Sequence, residues 1–343
     1  MKLLFMKKDM LILAASLFVL SPIAKAQDNN GVSSAWFIEA NANTGVVDQS
    51  FKMYDMADFY SMPVNMKTSG LTFNNGSTSG FNGQVGYFFG KERHFGVGLG
   101  LMYFSRSGNI QSSVFHVEYK ATDFKNDVFR QVITAKEPIV ETLEFTSMSI
   151  PLVAKFQHRF AKRWGVTVDA GIIYNVQNNY TYTSNASFDY EAIYKFEQSG
   201  SSVTAVYDES SMPGDENWLI TKAHYESKNP DGNVEAYFNS MAADGYTVAL
   251  DKKSTQTGEF SYKTGALGFI VQPAVSFMVS NQLALNLGLY YMSQTFKNDK
   301  ASDYQLVNNE GELSTMLGAV ETNKTVSYGG TLGLRFYFGK SGK

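Results

Sequence analysis

Apolar and polar residues alternate along eight separate stretches of the chain, and a period of two predicts strands. The last stretch, Lys324 to Phe338, is the clearest. Val326, Tyr328, Gly330, Leu332, Leu334, Phe336 and Phe338 fall on one face, and Ser327, Gly329, Thr331, Gly333, Arg335 and Tyr337 on the other. A strand that is apolar on one side and small or polar on the other lies between oil and water. The other seven stretches are 34–47, 79–89, 94–107, 145–160, 164–182, 259–279 and 282–296. In the third, Phe95, Val97, Leu99, Leu101 and Tyr103 alternate with Gly96, Gly98 and Gly100; in the seventh, Leu285, Leu287 and Leu289 flank the opposite-facing Asn286.

The connections alternate in length. Gly90 to His94, Ala161 to Arg163 and Ser280-Asn281 are tight turns, whereas 48–78, 108–144, 184–258 and 299–323 are long. Short turns at one end and long loops at the other predict an all-β, transmembrane, antiparallel up-and-down β-barrel of eight strands, with short periplasmic turns and long extracellular loops. A soluble sandwich would carry polar residues on its outward face. The 184–258 segment is long enough to hold another hairpin, so ten strands is the alternative. Val114 to Lys120 and Val128 to Thr134 alternate too and predict a strand pair beyond the membrane.

Composition agrees with this reading. Aromatics make up 14% of the chain, with 20 Tyr and 26 Phe. On one face, Phe95 and Tyr103 are eight residues apart, as are Tyr328 and Phe336, and Trp164 and Tyr174 are ten apart. At ~3.3 Å per residue and a tilt near 40°, these gaps span roughly 20–25 Å, the height of a lipid-facing band between aromatic girdles. Mean hydropathy is slightly negative, as expected when lumen and lipid positions alternate. Lys2, Lys7 and Lys8 precede an apolar run from Met10 to Ala24, followed by Ala24-Lys25-Ala26. This predicts a cleaved signal peptide over 1–26, a mature start at Gln27, and a barrel over 27–343. The whole chain carries a formal charge of −3, and loss of Lys2, Lys7, Lys8, Lys25 and Asp9 makes the remainder more acidic. An acidic chain without a basic stripe predicts no nucleic-acid partner.

Thr331, Gly333, Phe336 and Phe338, a polar residue, a glycine and two terminal aromatics at set spacing, resemble the closing-strand signal read by the bacterial outer-membrane assembly machinery. The chain as a whole resembles the small outer-membrane barrels of the OmpA/OmpX type, without the C-terminal domain of OmpA. The resemblance implies location in the outer membrane, with lipid and the assembly machinery as partners. It does not choose among activities, because fold does not fix function.

Candidate chemistry lies inside the predicted barrel. Lys155 and Asp169 point inward, and a turn pairing Phe160 with Trp164 sets them face to face. Glu39 and Arg335 point inward on the first and last strands, neighbours on closure. In a narrow lumen such charges must pair, which predicts a polar plug, with a gate for small solutes as the alternative. His94, His116, His158 and His224 are the only histidines. None shares a strand face with an outer-rim serine, so no catalytic residue is assigned. With no cysteine and no paired histidines, no metal site or cofactor is assigned. The function read from the sequence is an outer-membrane barrel whose Tyr-, Ser-, Asn- and Asp-rich loops bind an extracellular ligand or serve structure. A narrow porin-like channel is the alternative, and an outer-membrane enzyme the third class.

Overall fold

Strand formation follows the alternation, and the strands run further than the alternation alone marks. The computed structural model describes residues 35–90, 92–122, 126–193, 195–199, 201–209, 219–220, 252–308 and 312–338, together with 236, 239–240 and 243–244. The signal peptide read at 1–26, with its cut before Gln27, lies outside the described residues, as does His224. In chain order the strands are β1 (Ala35–Met53), β2 (Asn65–Thr68), β3 (Leu71–Phe89), β4 (Phe95–Ser112), β5 (Phe115–Thr122), β6 (Val128–Ala135), β7 (Ile139–Arg159), β8 (Trp164–Ile193), β9 (Lys195–Ser199), β10 (Ser202–Val206), β11 (Leu219–Ile220), β12 (Lys252–Phe260), β13 (Leu267–Met278), β14 (Leu283–Lys297) and β15 (Val320–Tyr337).

Eight of these pair side by side in the order β13-β14-β15-β1-β3-β4-β7-β8, and β8 also pairs with β13, so the antiparallel sheet closes into a ring. Closure leaves no free edge along this circuit, which satisfies the backbone hydrogen bonds without water. Chain ends meet at the β1–β15 seam, where Glu39 lies opposite Arg335 and Phe37 opposite Tyr337. Outward positions are apolar and exposed: Leu287 is 65% exposed, while its neighbour Asn286 is 3% exposed. The same inversion of a water-facing protein holds around the ring, at Val97, Leu99, Leu152, Ile172, Phe269 and Leu332.

The tight connections share one end of the ring. Phe160 and Ala161 N–H groups donate to the Trp164 carbonyl at 3.2 Å, and the Ser280 hydroxyl accepts from Leu283 N–H at 3.1 Å. Gly90 there has φ +72°. At the other end the strands outrun the apolar band. β8, 30 residues long, carries the sheet onward through β6 and β5 to β2. The strand pair read near 114–120 and 128–134 is this β5–β6 hairpin, with Val117 opposite Ile133. The 184–258 segment begins as strand, since β8 continues to Ile193.

The stretch read as one strand over 259–279 is two strands, β12 and β13, with 261–266 between them. The physical reason is local. Asn178 on β8 takes both polar groups of Tyr262, accepting from its N–H at 2.8 Å and donating to its carbonyl at 3.1 Å. Gly265 then turns the chain at φ +87°, a conformation that favours glycine. β15 ends at Tyr337, one residue earlier than the alternation suggests, and Phe338 N–H donates to the Trp36 carbonyl at 2.9 Å.

Candidate functional site

The interior is filled in levels, each built from inward positions of several strands. At the tight-turn end an apolar floor is made by Phe37, Phe88, Met278, Ala284 and Tyr337. Above it the structure brings together the four charged residues predicted from the sequence. Lys155 lies opposite Asp169 in the β7–β8 register. Its Nζ donates to Glu39 Oε2 at 2.7 Å and to Asp169 Oδ2. Arg335 Nε donates to the same Glu39 oxygen at 2.9 Å, and its Nη2 lies 3.7 Å from Asp169 Oδ1. Two cations and two carboxylates balance.

This quartet crosses the lumen. β1 and β8, which supply Glu39 and Asp169, are four places apart in the eight-membered ring. Neighbours fix its geometry: Asn286 Nδ2 donates to Glu39 Oε1 at 3.3 Å, and Gln157 Oε1 accepts from Tyr337 Oη at 2.7 Å and Arg335 Nη1 at 3.4 Å. Both cations lie over the Phe37 ring, at 5.1 Å for Lys155 and 5.4 Å for Arg335. Such contacts add attraction once water is removed. Glycines make the room. A Cβ on Gly98 would lie 2.9 Å from Lys155 Cε, and one on Gly333 would lie 1.9 Å from Asn41 Oδ1. Gly333 of the predicted closing-strand signal thus packs inward beside Thr331, while Phe336 faces out and stacks edge-on to Phe338 at 5.0 Å.

Two further levels escaped the sequence reading. Arg106 on β4 is 1% exposed. Its Nη1 donates to Ser147 Oγ at 2.7 Å on β7, and its Nε to Ser327 Oγ at 3.1 Å on β15, across the ring. Higher still, Tyr180 on β8 donates to Gln49 Oε1 on β1 at 3.1 Å, and Asn323 Nδ2 donates to both, at 2.6 and 2.8 Å. Phe145 stacks on Tyr180 with centroids 4.0 Å apart. The signal for Arg106 was present: it lies within the stretch read over 94–107, on the inward parity of Gly98, Met102 and Phe104.

The outer end is closed by a hydrophobic core in which Met56 and Phe59, from one long connection, and Leu306, Val307, Met316 and Leu317, from another, pack on β5, β6 and β7. Glu141 anchors this cover. It lies on β7 beyond the apolar band, fully buried, and accepts from Thr315 Oγ1 at 2.7 Å, Met316 N–H at 3.0 Å and Ser184 Oγ. Burial pushes its carboxyl above the ordinary value of 4.5, against the pull of these three donors.

The histidines lie apart from these levels. His116 on β5 contacts Thr134 Oγ1 at 2.8 Å and Glu118 Oε1 at 3.1 Å, a cross-strand row that ties the outer sheet together. His94 and His158 lie side by side at the tight-turn end, ring centroids 5.4 Å apart. Among the described residues no group of three potential ligands is arranged to hold a metal ion, and no helix is long and apolar enough to cross a membrane.

No protein-family model matches the chain, and no curated protein matches its sequence. Among solved structures, a FadL homologue of Pseudomonas aeruginosa is similar at 7% identity and a TM-score of 0.17, over 89% of this chain and 90% of that one. The outer-membrane expressed OmpT of Vibrio cholerae is similar at 8% identity and a TM-score of 0.12, over 91% and 99%. At these scores neither likeness bears on function.

Proposed function

We propose that the chain is an integral outer-membrane β-barrel of eight spanning strands, closed to solutes, that presents its outer sheet and loops at the cell surface for binding or for a structural role. One observation carries the reading: a closed ring whose outward positions are apolar and exposed and whose inward positions include many polar and charged residues, with Glu39, Lys155, Asp169 and Arg335 paired across the lumen. Water disfavours such a surface and a bilayer favours it. The three cross-lumen levels and the outer hydrophobic cover support a plug over a channel. The reading assigns no catalysis, cofactor or nucleic-acid partner. Outer-membrane lipid and the assembly machinery are the proposed partners, the latter through Thr331, Gly333, Phe336 and Phe338.

The experiment is fractionation with heat-modifiability. The protein is expected in the outer-membrane fraction, with a mature N-terminus at Gln27 and faster migration on gels when unboiled. Recovery as a soluble periplasmic protein with no mobility difference overturns the reading.

A further inference from the structure

We propose that the lumen holds a binding site for a small monovalent anion of the halide class at Arg106. The guanidinium is fully buried, wedged between the Phe104 ring at 5.2 Å and the Phe145 ring at 5.1 Å. Its hydrogen-bond partners, Ser147 and Ser327, are neutral hydroxyls. They satisfy direction but not charge. Among the described residues no carboxylate pairs with it. Glu39 and Asp169 are already balanced by Lys155 and Arg335, and both oxygens of Glu141 are taken by Thr315, Met316 and Ser184. Arg106 is thus left without a carboxylate partner, and an uncompensated buried charge is strongly unfavourable.

Unused donors converge at this level. Arg106 Nη2 is buried without a hydrogen-bond partner, and Thr78 Oγ1 and Tyr290 Oη are buried with none but each other. Thr78 lies directly opposite Arg106 in the β3–β4 register. Tyr290 lies beside Thr78 and within electrostatic reach of the guanidinium. An N–H and a hydroxyl pair beside one cation form a site for an anion, because the N–H and the pair's remaining proton can both donate and the charge assists each bond. The surroundings set the size. Met102, Phe104, Tyr290 and Met292 pack together in one apolar cluster around this level, which suits a single weakly hydrated ion over a phosphate or an organic acid.

The test uses bromide as the probe. Crystals of the refolded protein grown in sodium bromide should show an anomalous peak within hydrogen-bond distance of Arg106 Nη2. Ordered density there with no anomalous signal means water and overturns the proposal. A peak that persists in Arg106→Gln crystals marks an adventitious ion only, and overturns it too. Independently, exchanging gluconate for bromide at constant ionic strength should raise the melting temperature by a few degrees, through preferential binding to the folded state. Arg106→Gln should lose that rise while keeping its heat-modifiable mobility. An equal rise in both proteins refutes the site. These readouts concern the lumen alone, so their failure is distinguishable from failure of the membrane assignment.

Discussion

Lys155 Nζ joins two carboxylates that come from strands on opposite sides of the ring, and this sets what its loss should do. Removing either Lys155 or Asp169 leaves an unbalanced charge in a dry interior, and breaking such a pair costs about 3–5 kcal/mol. Removing both should cost less than the sum. A double-mutant cycle with Lys155→Met and Asp169→Leu in refolded protein measures the difference; a coupling energy near zero contradicts a dry plug, since water would screen the orphaned charge. Glu141 makes a second residue-scale case, one that depends on pH. Its folded-state value is raised above 4.5, so between 4.5 and the raised value the folded protein binds more protons than the unfolded chain. Stability therefore falls as pH rises through that window. Glu141→Gln, which stays neutral, should flatten the slope of melting temperature against pH; an unchanged slope assigns it to other groups. Lys155, Asp169, Glu39 and Arg335 were legible because parity and turn position fix which residues face each other. Glu141 was not, because its role depends on how far β7 extends past the apolar band; Arg106 had the inward parity within 94–107, but nothing local marks a lone cation as a cross-lumen strut.

At the scale of elements, each ring strand is defined by two unlike faces, and a one-residue slip exchanges them. On β14, Leu287 faces out and Asn286 faces in. Leu287→Arg should destabilise the folded barrel in lipid by about 2–4 kcal/mol, whereas Asn286→Ala removes only the bond to Glu39. Equilibrium unfolding in bilayers compares the two, and equal costs contradict the assigned faces. The ring strands were readable because burial on one side alone imprints a period of two. The outer elements were less readable. β2 pairs with β5 over four residues, Asn65–Thr68, too few to print a pattern. The break between β12 and β13 depends on Asn178, more than 80 positions from Tyr262, and no local pattern announces a contact at that distance.

At the scale of the molecule, the three cross-lumen levels make the interior a set of struts. In planar bilayers the native protein should give no discrete conductance steps at moderate voltage; regular steps would favour the narrow-channel alternative over the plug. The β1–β15 seam has a consequence for how the chain assembles. Glu39 and Arg335 are 296 positions apart, so their contact forms only when the last strand meets the first, and contacts of such separation are slow to form. Lys155 and Asp169 face each other across a tight hairpin and meet early. Until β15 docks, the growing sheet holds two carboxylates, Glu39 and Asp169, against a single lysine. Arg335 arrives with the final strand and brings the interior charge of this quartet to zero. The quartet thus favours β15 over any strand without a cation at this position: such a strand could complete the hydrogen-bond ladder and still leave an acid unneutralised in the interior.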